Sequence, residues 1–386
     1  MSIFNIFSKK KNSIPETTKY NFWLTEEINK CKKFDKDLTN YITPSTHPLH
    51  AKWIAKGVMN DFSEKSIQKL VEFPYPTDGS DKENELSELF ENLAKEPDLD
   101  YFLEKYKPNV IKTPEYNIEG YVGAVLGDII GSKYEFVEHG PVKNLFDKRS
   151  HFTDDTVLTV ATIQAIKENK EEPDFRKWYI EFTNRYKNAG YGSGYRRWAL
   201  GIDVDNSVGY GSYGDGSAMR VSPIGYLYDN IEDVIEMAFK SAIVTHNHIN
   251  GVKGAVVSAV VCWMCRGNYS KEEIKEYVLL YYGYTKEQRD EIINGYTLFN
   301  IEDGENNDFT KNYSLFCDYT VPYCVWCFLE TENFDDCMKK VLSHFCDADT
   351  DCAIAGSFAY GFYKEDRKEK MNEYLTEDLK NIFENG

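Results

Sequence analysis

Gly123-Ala124-Val125-Leu126-Gly127-Asp128-Ile129-Ile130-Gly131 sets three glycines four residues apart among apolar side chains. On a helix such positions share one face, and a face without side chains lets a neighbouring backbone approach closely. The stretch is too short for a membrane dimer seam, and Lys133 and Glu135 follow it at once, so close packing in a helical bundle is the better reading.

Working outward, apolar periodicity predicts helices over Thr156–Glu168, Ile231–Ala242, Gly251–Cys265, Lys271–Tyr282, Val321–Glu330, Phe334–Phe345 and Thr350–Tyr363. Strand patterns are scarce and no solenoid repeat is present, so the class is all-α. From about Pro15 to Asn109 the chain is charged and broken by turn signals such as Pro74-Tyr75-Pro76-Thr77-Asp78-Gly79, with amphipathic stretches at Lys65–Phe73 and Glu83–Lys95. Residues 1–114 therefore read as a helical accessory region, in which His47 and His50 are surface histidines without a partner carboxylate. The chemistry is expected in residues 115–386.

A chain of 386 residues with 42% hydrophobic content can bury at least one sizeable core. A net charge of −18 and a pI near 4.9 argue against nonspecific binding to nucleic acid or to an anionic membrane. The first eleven residues place apolar side chains before Lys9, Lys10 and Lys11, the wrong order for a secretory signal, so no export and a cytoplasmic location are expected. No apolar run reaches the roughly 20 residues that cross a bilayer, and Gly254–Cys265 reads as a buried helix. Nine cysteines favour reduced thiols. The pairs Cys262/Cys265 and Cys324/Cys327 lie in apolar segments without the turn residues of a zinc knuckle, and core packing is expected for both.

Two acidic clusters open predicted helices. Thr153-Asp154-Asp155-Thr156 runs directly into an apolar helix, where ordinary capping of the helix start is a sufficient account. Asp347-Ala348-Asp349-Thr350-Asp351 offers three carboxylates and a hydroxyl, more than one cap uses. If the two helix starts met, the crowded carboxylates would raise one another's pKa unless a cation cancelled them. An all-oxygen donor set favours Mg2+, Mn2+ or Ca2+ over zinc or copper. Spacing alone does not bring the clusters together.

The ordered set of Gly123–Phe136, Phe152–Thr156, Gly214-Asp215-Gly216-Ser217-Ala218-Met219-Arg220-Val221-Ser222-Pro223, Thr245-His246-Asn247-His248 followed by Gly251, Lys253, Gly254 and Ala255, and Asp347-Ala348-Asp349-Thr350 resembles the ADP-ribosylglycohydrolase family in its bacterial form. The resemblance covers about Tyr116 to Tyr363. It implies a compact orthogonal helical bundle with two Mg2+ or Mn2+ ions held between helices, acting on an ADP-ribosylated protein and releasing ADP-ribose. By motif, Thr153, Asp154, Asp155, Asp347, Asp349 and Thr350 are the expected metal ligands. Glu135, Asp155 and Asp349 are the expected catalytic residues, with a metal-bound water attacking ribose C1. Gly214, Asp215, Gly216, Ser217, Met219 and His246 are expected at the nucleotide cleft, with Tyr191-Gly192-Ser193-Gly194 as a weaker second anion loop.

This chain departs from the family where Phe345 and Cys346 replace two glycines, which is expected to narrow the cleft or shift the second metal. Asp215 stands where asparagine is usual and adds negative charge beside the expected diphosphate. Three rival readings are another binuclear-metal hydrolase, a non-catalytic ADP-ribose-binding scaffold, and an immunity protein whose residues 1–114 hold a protein partner. The acceptor residue, oligomeric state and stereochemical outcome are not readable from the sequence.

Overall fold

The computed structural model describes residues 38–384, apart from 39, 43–45, 76–81, 115–118, 136, 138–140, 284–314 and 344–345. The expectations placed on Met1–Lys11 and on Phe345 lie outside the described residues. The chain divides into two compact units, 1–97 and 98–386. Among the described residues every regular element is a helix, and the single β-bridge joins Gly214 to Phe316.

In the smaller unit, α1 (Pro48–Met59), α2 (Glu64–Val71) and α3 (Glu83–Ala94) pack around Trp53, Phe62, Leu70 and Phe90. Pro48 opens α1, where a missing N–H costs nothing, and His47 Nδ1 accepts the Leu49 N–H at 3.3 Å. His50 is not a surface residue. It is buried, it stacks near Tyr75, and its Nε2 lies 2.7 Å from the Leu70 carbonyl. A helix start that must close against α2 consumes both histidines structurally.

The larger unit begins 17 residues before the boundary expected from composition, since it includes α4 (Leu99–Lys105). Phe102 of this short helix is fully buried, stacked on Tyr106 and edge-on to Phe239, which ties the segment to the main core. After it come α5 (Tyr121–Gly131), α6 (Asp154–Glu168), α7 (Phe175–Arg185), α8 (Ser193–Ala199), α9 (Gly216–Met219) and α10 (Ser222–Leu227). Next are α11 (Ile231–Ile243), α12 (Ile249–Arg266), α13 (Lys271–Tyr282), α14 (Cys317–Leu329), α15 (Phe334–Val341), α16 (Ala348–Tyr363), α17 (Lys368–Asn372) and α18 (Glu377–Glu384).

The centre of the unit is the antiparallel contact of α5 with α16. Every residue of α5 is buried. A Cβ built on Gly123 would lie 2.3 Å from the Gly356 carbonyl oxygen, one on Gly127 1.9 Å from that of Cys352, and one on Gly131 2.0 Å from that of Ala348. Backbone meets backbone along the whole seam, as the four-residue glycine spacing predicts. The pairing brings the last turn of α5 to the first turn of α16.

Helix α12 is long and apolar enough to cross a membrane, yet 94% of that apolar window is buried within the protein, as a core helix requires. All eight described cysteines are unpaired and buried. Cys262 Sγ lies 3.3 Å from Ser357 Oγ, and Cys324 Sγ donates to the Asp351 carbonyl at 3.3 Å, so both Cys-x-x-Cys pairs pack in helix interiors as expected.

Candidate metal centre and nucleotide cleft

Both acidic clusters lie at helix N-termini that meet beside the last turn of α5. Thr153 is the N-cap of α6 and accepts the Asp155 N–H at 3.4 Å, so the capping reading is correct for its side chain. The same hydroxyl donates at 2.8 Å to Asp128 Oδ1. Asp347 occupies the N-cap position of α16 without a side-chain capping bond, and its carboxylate lines the cleft beside Asp349.

Asp128, which sequence reasoning left out of the site, organises it. Its carboxylate accepts the Thr153 N–H at 2.9 Å, the Thr153 hydroxyl, the Thr156 N–H at 3.1 Å and the Thr156 hydroxyl. These four donors lock the start of α6 onto α5. Asp128, Asp155 and Asp349 each offer a carboxylate oxygen within 4.8 Å of the others, and so do Glu135, Asp347 and Asp349. Asp349 belongs to both groups. Thr350 Oγ1 donates across the seam to Asp155 Oδ2 at 3.3 Å.

The charge balance of this site is strained. Asp128 is pushed up to about 7 by burial and by Asp349, against the hydrogen bonds from Thr153 and Thr156. Glu135 is pushed up to about 7 by burial, Asp349 and Asp128. Asp154, Asp155 and Asp347 lie well above the ordinary carboxylate range, from burial first and then Asp349. Asp155 Oδ1 is buried with no hydrogen-bond partner. An acceptor-only oxygen left unsatisfied among crowded carboxylates is what a hard divalent cation such as Mg2+, Mn2+ or Ca2+ would complete. Asp351 stands apart from this group. It is fully buried and faces Cys324, away from the cleft.

A cleft of about 390 Å3 opens onto these groups. It is lined by the acidic residues Glu135, Asp154, Asp347 and Asp349 with Thr350, and by Gly214, Asp215, Gly216, Met219 and His246. Gly190, Gly192, Ser193 and Gly194 add the second small-residue loop. Glu135 is held by the turn after α5, whose neighbour Lys133 is anchored to Asp147 at 3.2 Å.

Ser217 is the exception among the expected cleft residues. It does not line the cleft; fully buried in α9, it donates to the Gly251 carbonyl at 2.8 Å. The loop looks uniform in sequence, but its fourth residue has already entered a helical turn and faces the core. Cys346 also turns inward, its Sγ 3.8 Å from the Val341 carbonyl, so it does not narrow the cleft. Asp215 does face the cleft, accepts from Thr320 Oγ1 at 3.1 Å, and is pushed up to about 7 chiefly by burial. His248 is a helix cap, its Nδ1 accepting the Asn250 N–H at 3.2 Å.

Five motifs thus meet in one cleft, and the family description "ADP-ribosylglycohydrolase" matches residues 118–364 of this chain. The chain belongs to the ADP-ribosylglycohydrolase family. Within that family it is similar to the ADP-ribosylhydrolase ARH3 of Xenopus tropicalis, 30% identical over 184 residues that make up 41% of this chain and 53% of the relative. The ARH3 of Homo sapiens is 28% identical over 188 residues, 41% and 52% of the two chains. The chain spans about half the length of these curated relatives. An "Uncharacterized protein" of Archaeoglobus fulgidus is 25% identical over 290 residues, 68% of this chain and 94% of that one. A solved "ADP-ribosylglycohydrolase-related protein complex" aligns at a TM-score of 0.48 with 18% identity, covering 68% of this chain and 93% of its own.

Proposed function

We propose that this ADP-ribosylglycohydrolase hydrolyses the N- or O-glycosidic bond joining ADP-ribose C1 to a modified side chain of a protein. The observation that carries the reading is the sharing of Asp349 by two carboxylate groups at the foot of the cleft. A cleft of that size suits a nucleotide-sized ligand. Two ions, Mg2+ or Mn2+, would be held by Asp154, Asp155, Asp347, Asp349 and Thr350, with Asp128 joining the set. Thr153 is better suited to orienting Asp128, to which its hydroxyl donates at 2.8 Å, and Asp155, whose Oδ2 lies 3.1 Å from the same oxygen. When bound, such ions supply Lewis-acid polarisation and charge cancellation.

The chain's own groups cover the remaining chemistry. In the reaction a water oxygen bonds to C1, the bond from C1 to the acceptor atom breaks, and its electron pair leaves with that atom, which takes up a proton. Glu135 faces the cleft and shares a carboxylate group with Asp347 and Asp349, so it can accept the proton of the attacking water and return one to the product. The Gly214–Gly216 loop exposes backbone beside His246 and suits the diphosphate. The unpaired cysteines support a reducing, cytoplasmic setting.

The test is release of ADP-ribose from arginine-linked and serine-linked protein substrates, assayed side by side with Mg2+, with Mn2+ and with chelator. Turnover on one linkage that chelator abolishes is expected. ADP-ribose binding without turnover on either linkage would replace the hydrolase reading with the scaffold one.

A further inference from the structure

Arg220 is fully buried, and among the described residues it has no ion-pair partner. Its guanidinium lies 4.2 Å over the Tyr179 ring, and one nitrogen donates to Thr245 Oγ1 at 2.7 Å and to the Ser241 carbonyl at 3.3 Å. Nε and Nη1 have no partner. A buried cation without a carboxylate is costly, so its place in the wall of the cleft calls for an account beyond packing.

Thr245 Oγ1 is also 2.7 Å from His246 Nδ1. Arginine can only donate, so at the Arg220 contact the threonine oxygen must accept. The hydroxyl has one proton to give, and among the described residues the acceptor in reach is His246 Nδ1. A neutral imidazole that accepts at Nδ1 carries its proton on Nε2. That nitrogen is at the ring edge facing the small-residue loop: a Cβ on Gly216 would lie 3.3 Å from both Cε1 and Nε2 of His246, and one on Gly214 4.0 Å from Nε2. The ring is buried, and both burial and the Arg220 charge hold it well below the ordinary histidine range, so it does not gain a second proton near neutrality.

We infer that Arg220 and Thr245 are positioning residues that fix His246 as its Nε2–H tautomer, presenting one permanent donor to a phosphate oxygen seated against the Gly214–Gly216 loop. The uncompensated Arg220 charge acts in the same direction, since it favours an anion in front of His246 and polarises the chain of donors towards it. The identity of the anion as a nucleotide diphosphate rests on the proposed function; the tautomer does not.

Nitrogen-15 NMR of histidine-labelled, full-length protein reads the tautomer without any substitution. His246 is expected to show an unprotonated Nδ1 and a protonated Nε2; a protonated Nδ1 would overturn the relay. Thr245→Val removes the hydroxyl, and is expected to let Nδ1 take up the proton and to weaken ADP-ribose binding in calorimetry by about tenfold or more, the worth of one charge-assisted hydrogen bond. Thr245→Ser keeps the hydroxyl and should preserve both the spectrum and the affinity. A valine variant with unchanged tautomer and affinity would overturn the proposal. Failure of the wild-type protein to bind ADP-ribose would overturn the nucleotide reading of the cleft alone, because the spectrum decides the relay by itself.

Discussion

Thr350 Oγ1 donates to Asp155 Oδ2 at 3.3 Å, joining positions 195 residues apart. This contact places the two acidic helix starts in one site. It also means that the charges of α6 and α16 must be tolerated together, and four expectations follow from how they are tolerated.

Asp349→Asn should reduce ADP-ribose release by at least about a hundredfold, because one residue serves both carboxylate groups. The same change removes the like charge that raises Asp128, Glu135, Asp154, Asp155 and Asp347. In chelator the variant should therefore be more stable than the wild type by roughly 1–3 kcal/mol, a loss of function with a gain of stability. Denaturant unfolding and turnover of the same preparation measure both.

Asp128 and Glu135 rise from 3.8 and 4.5 to about 7 in the folded chain without metal. A raised carboxyl binds its proton more tightly folded than unfolded, so its stabilising contribution is complete below about pH 4 and is lost as pH rises to about 7. Melting temperature in chelator should fall across that window. Saturating Mg2+ should flatten the fall, since the cation takes the place of the protons. An equal slope with and without Mg2+ would refute a cation at these carboxylates.

Asp128→Ala and Glu135→Gln should separate structure from chemistry. The first strands four donors from Thr153 and Thr156 in a dry site and should cost about 3 kcal/mol or more of stability as well as activity. The second leaves stability in Mg2+ nearly unmoved and lowers kcat by about a hundredfold or more, the usual worth of a proton-transfer group.

Gly131→Ala places a methyl group 2.0 Å from the Ala348 carbonyl oxygen and 2.6 Å from Asp349 Cα. It should cost about 3 kcal/mol and weaken Mn2+ binding, measured by calorimetry, although position 131 bears no ligand. Gly192→Ala meets nothing within 4 Å and should leave both quantities unchanged.

Much of this is legible in the sequence. The close-packed face of α5 is written in glycine spacing, and the two acidic helix starts announce themselves as hydroxyl and carboxylate residues before apolar runs. Asp128 was not legible, because a single acid inside an apolar helix looks like a tolerated charge; its partners lie 25 and 28 residues away and sequence gives no sign of them. Ser217 misled for the opposite reason. It shares the composition of an anion loop, but the onset of α9 turns it to Gly251. Helix α7 escaped notice because charged residues are interspersed along Phe175–Arg185, leaving only Phe175, Tyr179, Phe182 and Thr183 to bury.

The contact of α5 with α16 has a consequence for how such a protein can diversify. The spacing of Asp128 and Asp349 is gauged by main chain resting on main chain at Gly127 and Gly131 rather than by side chains that could be exchanged. The Gly190–Gly194 and Gly214–Gly216 loops carry no such duty. Substitutions there act on how a ligand seats in the cleft while the carboxylate gauge keeps its setting, so binding can be retuned without rebuilding the centre.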